Sequence, residues 1–126
     1  MINLIKEFKV DALQVFVYEN RAAMGASAYE LYKQKVLQMM AGRKENIRAI
    51  YAAAHSQSDF FDALANDREI DFSRIDAFHM DEYMGLGDDA PQNFGNFLKN
   101  IIFSKKNFNT VNYVNPSAKD ISAECN

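Results

Sequence analysis

Cysteine is nearly absent from this sequence. Cys125 is the single one in 126 residues, which excludes an intrachain disulfide and any multi-cysteine metal site. Proline and glycine are scarce too, at two and five residues, and no internal repeat or low-complexity tract occurs. Concentrated basic charge is missing: nothing is denser than Ser104-Lys105-Lys106, and the net charge is −3. Nucleic-acid and anionic-membrane surfaces both need clustered Lys and Arg, so neither partner is expected. No window approaches the ~18 consecutive apolar residues of a membrane span. Met1 to Lys6 lacks the basic region and sustained apolar core of a signal peptide. A cytoplasmic protein is the resulting expectation.

What is present is ordinary for a globular protein, 48% hydrophobic and 25% charged. The length suits one domain with one core, residues 1–126, and is too short for two. Leu13-Gln14-Val15-Phe16-Val17-Tyr18 is β-branched and aromatic and reads as a strand. Asn20 is placed to cap a helix whose apolar stripe runs through Ala22, Ala26, Tyr29, Tyr32, Val36 and Met40 and stops at Gly42. Ile47 to Ala53 reads as a second strand, followed by a helix that Ser56 and Asp59 would open as a capping box. A polar linker, Ala65 to Arg74, leads to a third strand over Ile75-Asp76-Ala77-Phe78. Asp89 with Gln92 is placed to start a helix that carries Phe94, Phe97, Leu98, Ile101 and Ile102. Thr110 to Val114 is a short fourth strand, and Ser117 to Glu124 resembles the start of another helix. Strands alternate with helices and show little polar alternation. The expected fold is therefore α/β, a mainly parallel sheet with helices on both faces in a Rossmann-like three-layer sandwich.

The stretch richest in chemistry is Phe78-His79-Met80-Asp81-Glu82-Tyr83-Met84-Gly85-Leu86. A strand that delivers an acid to its carboxyl end and then breaks into a loop is where open α/β sheets build sites. Asp81 is the leading catalytic candidate. On extended backbone Asp81 and Glu82 point to opposite faces, so only one of them can address the site; the alternative is that both are solvated strand-end acids. His55 and Ser56 sit at a strand-to-helix junction, where free N–H groups favour an anion such as phosphate. Ser56 serving only as a cap is the simpler alternative. His79 with Asp81 makes too few ligands for a metal, so His79 is expected to be packed or hydrogen-bonded. Cys125 has no histidine near it in sequence and is no nucleophile.

The same stretch, with Pro91-Gln92 and Phe97 after it, resembles the Met-Asp-Glu-Tyr motif of the glucosamine-6-phosphate deaminase/isomerase family. The likeness covers most of the chain from about Asn46, and more loosely the first strand and helix. It implies an amino-sugar phosphate substrate, Asp81 as general base in an aldose–ketose isomerisation with loss of ammonia, and phosphate held near His55 and Ser56. Glu82 and Tyr83 would support the loop, and neither a metal nor an organic cofactor is implied. Where the family typically has Thr/Ser-Gly-Gly-Thr-Pro, this chain has Ala53-Ala54-His55-Ser56-Gln57. The family's later Gly-x-Gly-x-Asp-Gly-His segment has no counterpart. The chain thus reads as the amino-terminal part of a larger domain, incomplete and inactive alone, with an unpaired sheet edge that invites self-association into a homo-oligomer. A 6-phosphogluconolactonase-like hydrolase and a non-catalytic sugar-phosphate binding protein are the rival readings.

Overall fold

The computed structural model describes residues 3–126; Met1 and Ile2, which open the segment weighed above as a signal peptide, lie outside them. In chain order the elements are β1 (Leu4–Val10), β2 (Leu13–Tyr18), α1 (Arg21–Ala41), β3 (Ile47–Tyr51), α2 (Ser58–Ala65), β4 (Ile75–His79), α3 (Phe94–Leu98), β5 (Thr110–Asn112) and α4 (Ile121–Glu124). β3, β4 and β5 form a parallel sheet with β4 in the centre, whereas β1 and β2 pair antiparallel as a separate hairpin. Among the described residues no helix is long and apolar enough to cross a membrane.

The α/β class with a parallel sheet stands. The distribution of its layers differs from expectation. Parallel crossovers are right-handed, and a strand order that advances 3-4-5 without reversal puts every crossover helix on one face. α2 and the turn of π-helix that extends α3, Lys99–Phe103, accordingly pack side by side, with α1 laid against α2. The opposite face, carrying Arg48, Ile50, Asp76, Phe78, Thr110 and Asn112, has no helix over it among the described residues. It lines a shallow groove of about 910 Å³. A helical layer there would need a reversal of strand order, which these strands do not contain.

β1 was not anticipated. Lys6, Glu7 and Lys9 interrupt its apolar residues, and its turn, Asp11-Ala12, lacks glycine. Asp11 itself takes the left-handed conformation, φ 52°, which a two-residue hairpin needs and a short polar side chain tolerates. α1 follows the sequence closely: the Asn20 carboxamide oxygen accepts from the Ala23 amide at 2.9 Å. Gly42 closes this helix in the right-handed region, φ −88°.

The core lies between the covered face and its helices. Phe61, Leu64, Ile75, Ala77, Leu98 and Ile102 are fully buried. Tyr51 gathers the rings of Phe61, Phe103 and Phe108 within 6.2 Å, and its hydroxyl meets that of Tyr32 at 2.5 Å. Burial pushes both phenols' pKa values up, so this pair stays neutral.

The stretch read as a polar linker contributes to the core through Ile70 and Phe72, and Asp67 within it is buried. The Asp67 carboxylate accepts from the Tyr29 hydroxyl at 2.6 Å and from the amides of Glu69 and Ile70 at 2.8 and 2.7 Å. Burial pushes this carboxyl upward, but those donors and the Lys106 ammonium outweigh it and hold it below its ordinary value. A depressed carboxylate stabilises the fold above its unfolded pKa and loses that contribution as pH falls through the folded one. Thermal melts of wild type are therefore expected to drop on acidification below about pH 4, and Asp67→Asn to flatten that slope while costing about 1–2 kcal/mol at neutral pH. An unchanged acid limb would remove Asp67 from the account.

Gly25 sets the distance between α1 and α2. A Cβ placed there would lie 2.4 Å from the Asp59 Cβ and 2.9 Å from its carbonyl carbon. Alanine would ordinarily gain up to ~1 kcal/mol in a helix. Here the neighbour is backbone and Cβ rather than a flexible tip, so overpacking wins. Gly25→Ala is expected to destabilise by about 1–3 kcal/mol in chemical denaturation, and a stabilised variant would contradict the close approach.

Candidate active site

The register of the parallel sheet aligns the ends of its strands. Tyr51 of β3 stands opposite His79 of β4, and Phe78 opposite Asn112 of β5. Residues that follow Tyr51, His79 and Asn112 therefore emerge at one carboxyl edge. That places Ser56, Asp81 and Val114 on loops of the same rim.

β4 delivers its acid through two anchors. The Met80 amide donates to the Tyr51 carbonyl at 3.0 Å. His79 is 6% exposed, and both its ring nitrogens are engaged: Nδ1 with the Asp81 carbonyl at 2.9 Å, Nε2 with the Val114 amide at 2.8 Å. An amide can only donate, so Nε2 accepts and Nδ1 carries the proton. His79 is thus a neutral, hydrogen-bonded ring that ties the end of β4 to the loop after β5. That tie also ends β5 at Asn112, two residues short of the strand expected from sequence.

Asp81 is exposed, and its carboxylate has no partner among the described residues. Glu82 turns the other way. Its Oε1 accepts from the amides of Tyr83 and Phe94 at 2.9 and 2.8 Å, and its Oε2 from that of Gly95 at 2.9 Å. The two carboxylates thus differ in their partners, and the backbone carrying them has already left the strand. The Tyr83 ring is half-exposed and lies on Phe94, centroids 4.6 Å apart.

Two capping assignments are corrected. α3 begins at Phe94, with Asn93 rather than Asp89 before it, and Pro91 and Gln92 remain in the loop. Its first free amides are satisfied by Glu82, twelve and thirteen residues earlier, a partner that local sequence cannot show. At α2 there is no capping box: His55–Gln57 form a 3₁₀ turn, Gln57 precedes the helix without a side-chain cap, and the Ser58 hydroxyl donates to the His55 carbonyl at 2.9 Å.

His55 and Ser56 are exposed. The His55 ring meets Phe97 edge-on at 5.1 Å, and its carbonyl accepts from Arg21. The same guanidinium pairs with Asp59 at 2.5 Å. Arg21, which sequence reasoning passed over, therefore clamps the turn from the first residue of α1. The Ser56 hydroxyl has no hydrogen bond among the described residues. Those residues also contain no cluster of three or more His, Cys, Asp or Glu side chains able to hold a metal ion.

Comparison with known proteins finds several glucosamine-6-phosphate deaminases. A glucosamine-6-phosphate deaminase of Streptococcus sanguinis is 29% identical over 112 residues, covering 89% of this chain and 45% of that protein. The chain is related to the glucosamine-6-phosphate deaminases. One from Lactobacillus helveticus is 26% identical over 90% of the chain and 44% of its own length. A shorter match, to that of Clostridium beijerinckii, reaches 40% over 60 residues. No protein-family model matches. Among solved structures, a monomeric glucosamine-6-phosphate deaminase of the NagB superfamily superposes with a TM-score of 0.73 at 18% identity, over 84% of this chain and 44% of that one. A candidate 6-phosphogluconolactonase of Neisseria gonorrhoeae gives 0.64 at 15%, over 85% and 45%. These likenesses show the fold. The chain spans a little under half the length of the relatives it matches.

The Arg21 clamp is exposed, and exposed pairs contribute less than about 1 kcal/mol. Arg21→Gln should leave global stability almost unchanged while raising amide exchange severalfold at His55–Gln57. Exchange unaltered there would mean that the turn holds itself.

Proposed function

We propose that the polypeptide carrying this chain isomerises and deaminates an amino-sugar phosphate, with Asp81 as its general base. The observation that carries the proposal is the placement of Asp81. Its backbone is fixed at the carboxyl end of the central strand, and its carboxylate is left uncommitted among the described residues. A structural acid is consumed by its partners, as Glu82 and Asp67 are; an acid held in place but unpartnered is available to a substrate. The relationship to glucosamine-6-phosphate deaminases supports the substrate class.

In this reading the sugar reacts in its open-chain form. Asp81 removes the proton from C2, the electrons of that C–H bond form a C1–C2 double bond, and the C1 carbonyl oxygen takes up a proton from water, giving an enolamine. The proton returns to C1, which leaves an iminium at C2. Water adds to C2 and ammonia departs, so the products are the ketose phosphate and ammonia. No electron acceptor is needed. The phosphate would lie against the exposed His55–Gln57 turn, where Ser56 offers a free hydroxyl. Glu82 and Tyr83 support the loop. The remaining groups that open the ring and hold the phosphate would come from the rest of the polypeptide, and self-association is proposed from the bare sheet face and edges.

Ammonia release from glucosamine 6-phosphate by the full-length protein tests this. Asp81→Asn should lower turnover by ~10²–10⁴-fold, the usual contribution of a positioned base. Undiminished turnover would refute the assignment, and hydrolysis of 6-phosphogluconolactone without ammonia release would transfer the protein to the lactonase reading.

A further inference from the structure

Two residues close to the proposed base, His79 and Glu82, are better placed than loop support alone requires. We infer that His79 and Glu82 form a two-sided lock that sets the position of Asp81, and that Gly95 is the space the lock closes into. This rests on the general-base reading for its catalytic consequence, but the lock itself is read from geometry.

One side is the imidazole. By donating to the Asp81 carbonyl and accepting from the Val114 amide, it fixes the peptide that follows Asp81 to the loop after β5. The other side is the carboxylate. Glu82 takes three backbone amides, its own neighbour's and the first two of α3. The carbonyl of Asp81 is held by His79 and its neighbour Glu82 by α3, while the Asp81 side chain itself stays exposed. The two sides meet at Gly95. A Cβ there would stand 3.1 Å from Tyr113 Cδ1, 3.3 Å from Glu82 Oε2 and 3.6 Å from His79 Cε1. Tyr113 closes the group by packing on His79 at 5.9 Å. The loop after β4, helix α3 and the segment after β5 thus converge on one α-carbon.

The chemistry dictates which side chains serve. Both oxygens of Glu82 accept, so glutamine, which has one oxygen and an N–H₂ group, would set a donor against a donor. Aspartate is one methylene too short to reach α3. His79 needs an acceptor and a donor on one rigid ring, which neither phenylalanine nor leucine supplies. Each is a positioning residue: it acts through Asp81.

The test uses the full-length protein. In Glu82→Gln, amide exchange at Gly95 should rise by about tenfold or more, the equivalent of losing one charge-assisted hydrogen bond. With glucosamine 6-phosphate as substrate, kcat should fall ~10–100-fold while KM moves less than about threefold, the signature of a misplaced group rather than of lost binding. The double variant Asp81→Asn/Glu82→Gln should turn over at the rate of Asp81→Asn alone, because a lock has nothing to position once the base is gone. Gly95→Ala, which leaves every hydrogen-bonding group intact, should give the same pattern, and serves if Glu82→Gln is not recovered folded. Additive losses in the double variant, an effect confined to KM, or a normal kcat in Gly95→Ala would each overturn the lock. Full turnover by Asp81→Asn would instead refute the general-base reading, while the exchange behaviour of Gly95 would still decide whether the lock exists.

Discussion

The structure depends on the hydrogen bonding of one short strand along both its edges. β4 pairs with β3 over its whole length and with β5 over three residues. It is buried on one face by residues with essentially no exposure, Ile75 and Ala77. A strand so held cannot slip by one residue without turning that buried set to the open side. The register in turn decides which backbone groups emerge at the carboxyl edge, and in what order. His79 is the last residue of the paired strand, and beyond the Met80 amide the loop that follows is held largely by side chains, those of His79 and Glu82 among them.

That division explains how much could be read from sequence. β2, α1, β3 and β4 were legible because their signals are local: β-branched runs, an apolar stripe at helical spacing and an Asn20 cap. The α/β class followed from their alternation. Asp81 was legible as a candidate because a strand end with an acid is itself a local pattern. The expected caps of α2 and α3 failed for a single reason. Asp59 and Asp89 satisfy the spacing rules, yet Asp59 is drawn away by Arg21, thirty-eight positions earlier, and α3 is capped by Glu82. A tertiary partner overrides a local preference worth about 1 kcal/mol. Asp67 was hidden in the same way, since a carboxylate in a polar stretch gives no sign that Tyr29 and Lys106 will surround it.

The motif is therefore economical in its use of adjacent acids. Two carboxylates in sequence are commonly read as a pair acting on one atom. Here they have opposite fates, one consumed by backbone amides and the other left open. The environment, not the residue type, separates an available acid from a structural one. His79 shows the same with a different chemistry, because a ring whose two nitrogens are both engaged has no lone pair to offer a metal or a substrate.

The β1–β2 ribbon carries a consequence of another kind. Leu4, Ile5, Phe8, Val10, Leu13, Phe16 and Val17 are all exposed along it, and its tie to the body runs through the Tyr18 and Ser27 hydroxyls and the start of α1. A two-stranded ribbon with water on both sides has only its own ladder to resist opening. The molecule thus divides into cooperative units of unequal depth: a ribbon that melts locally, and a three-stranded body that melts with the whole. Sub-global opening would begin at the amino-terminal end and leave the carboxyl edge of the sheet undisturbed.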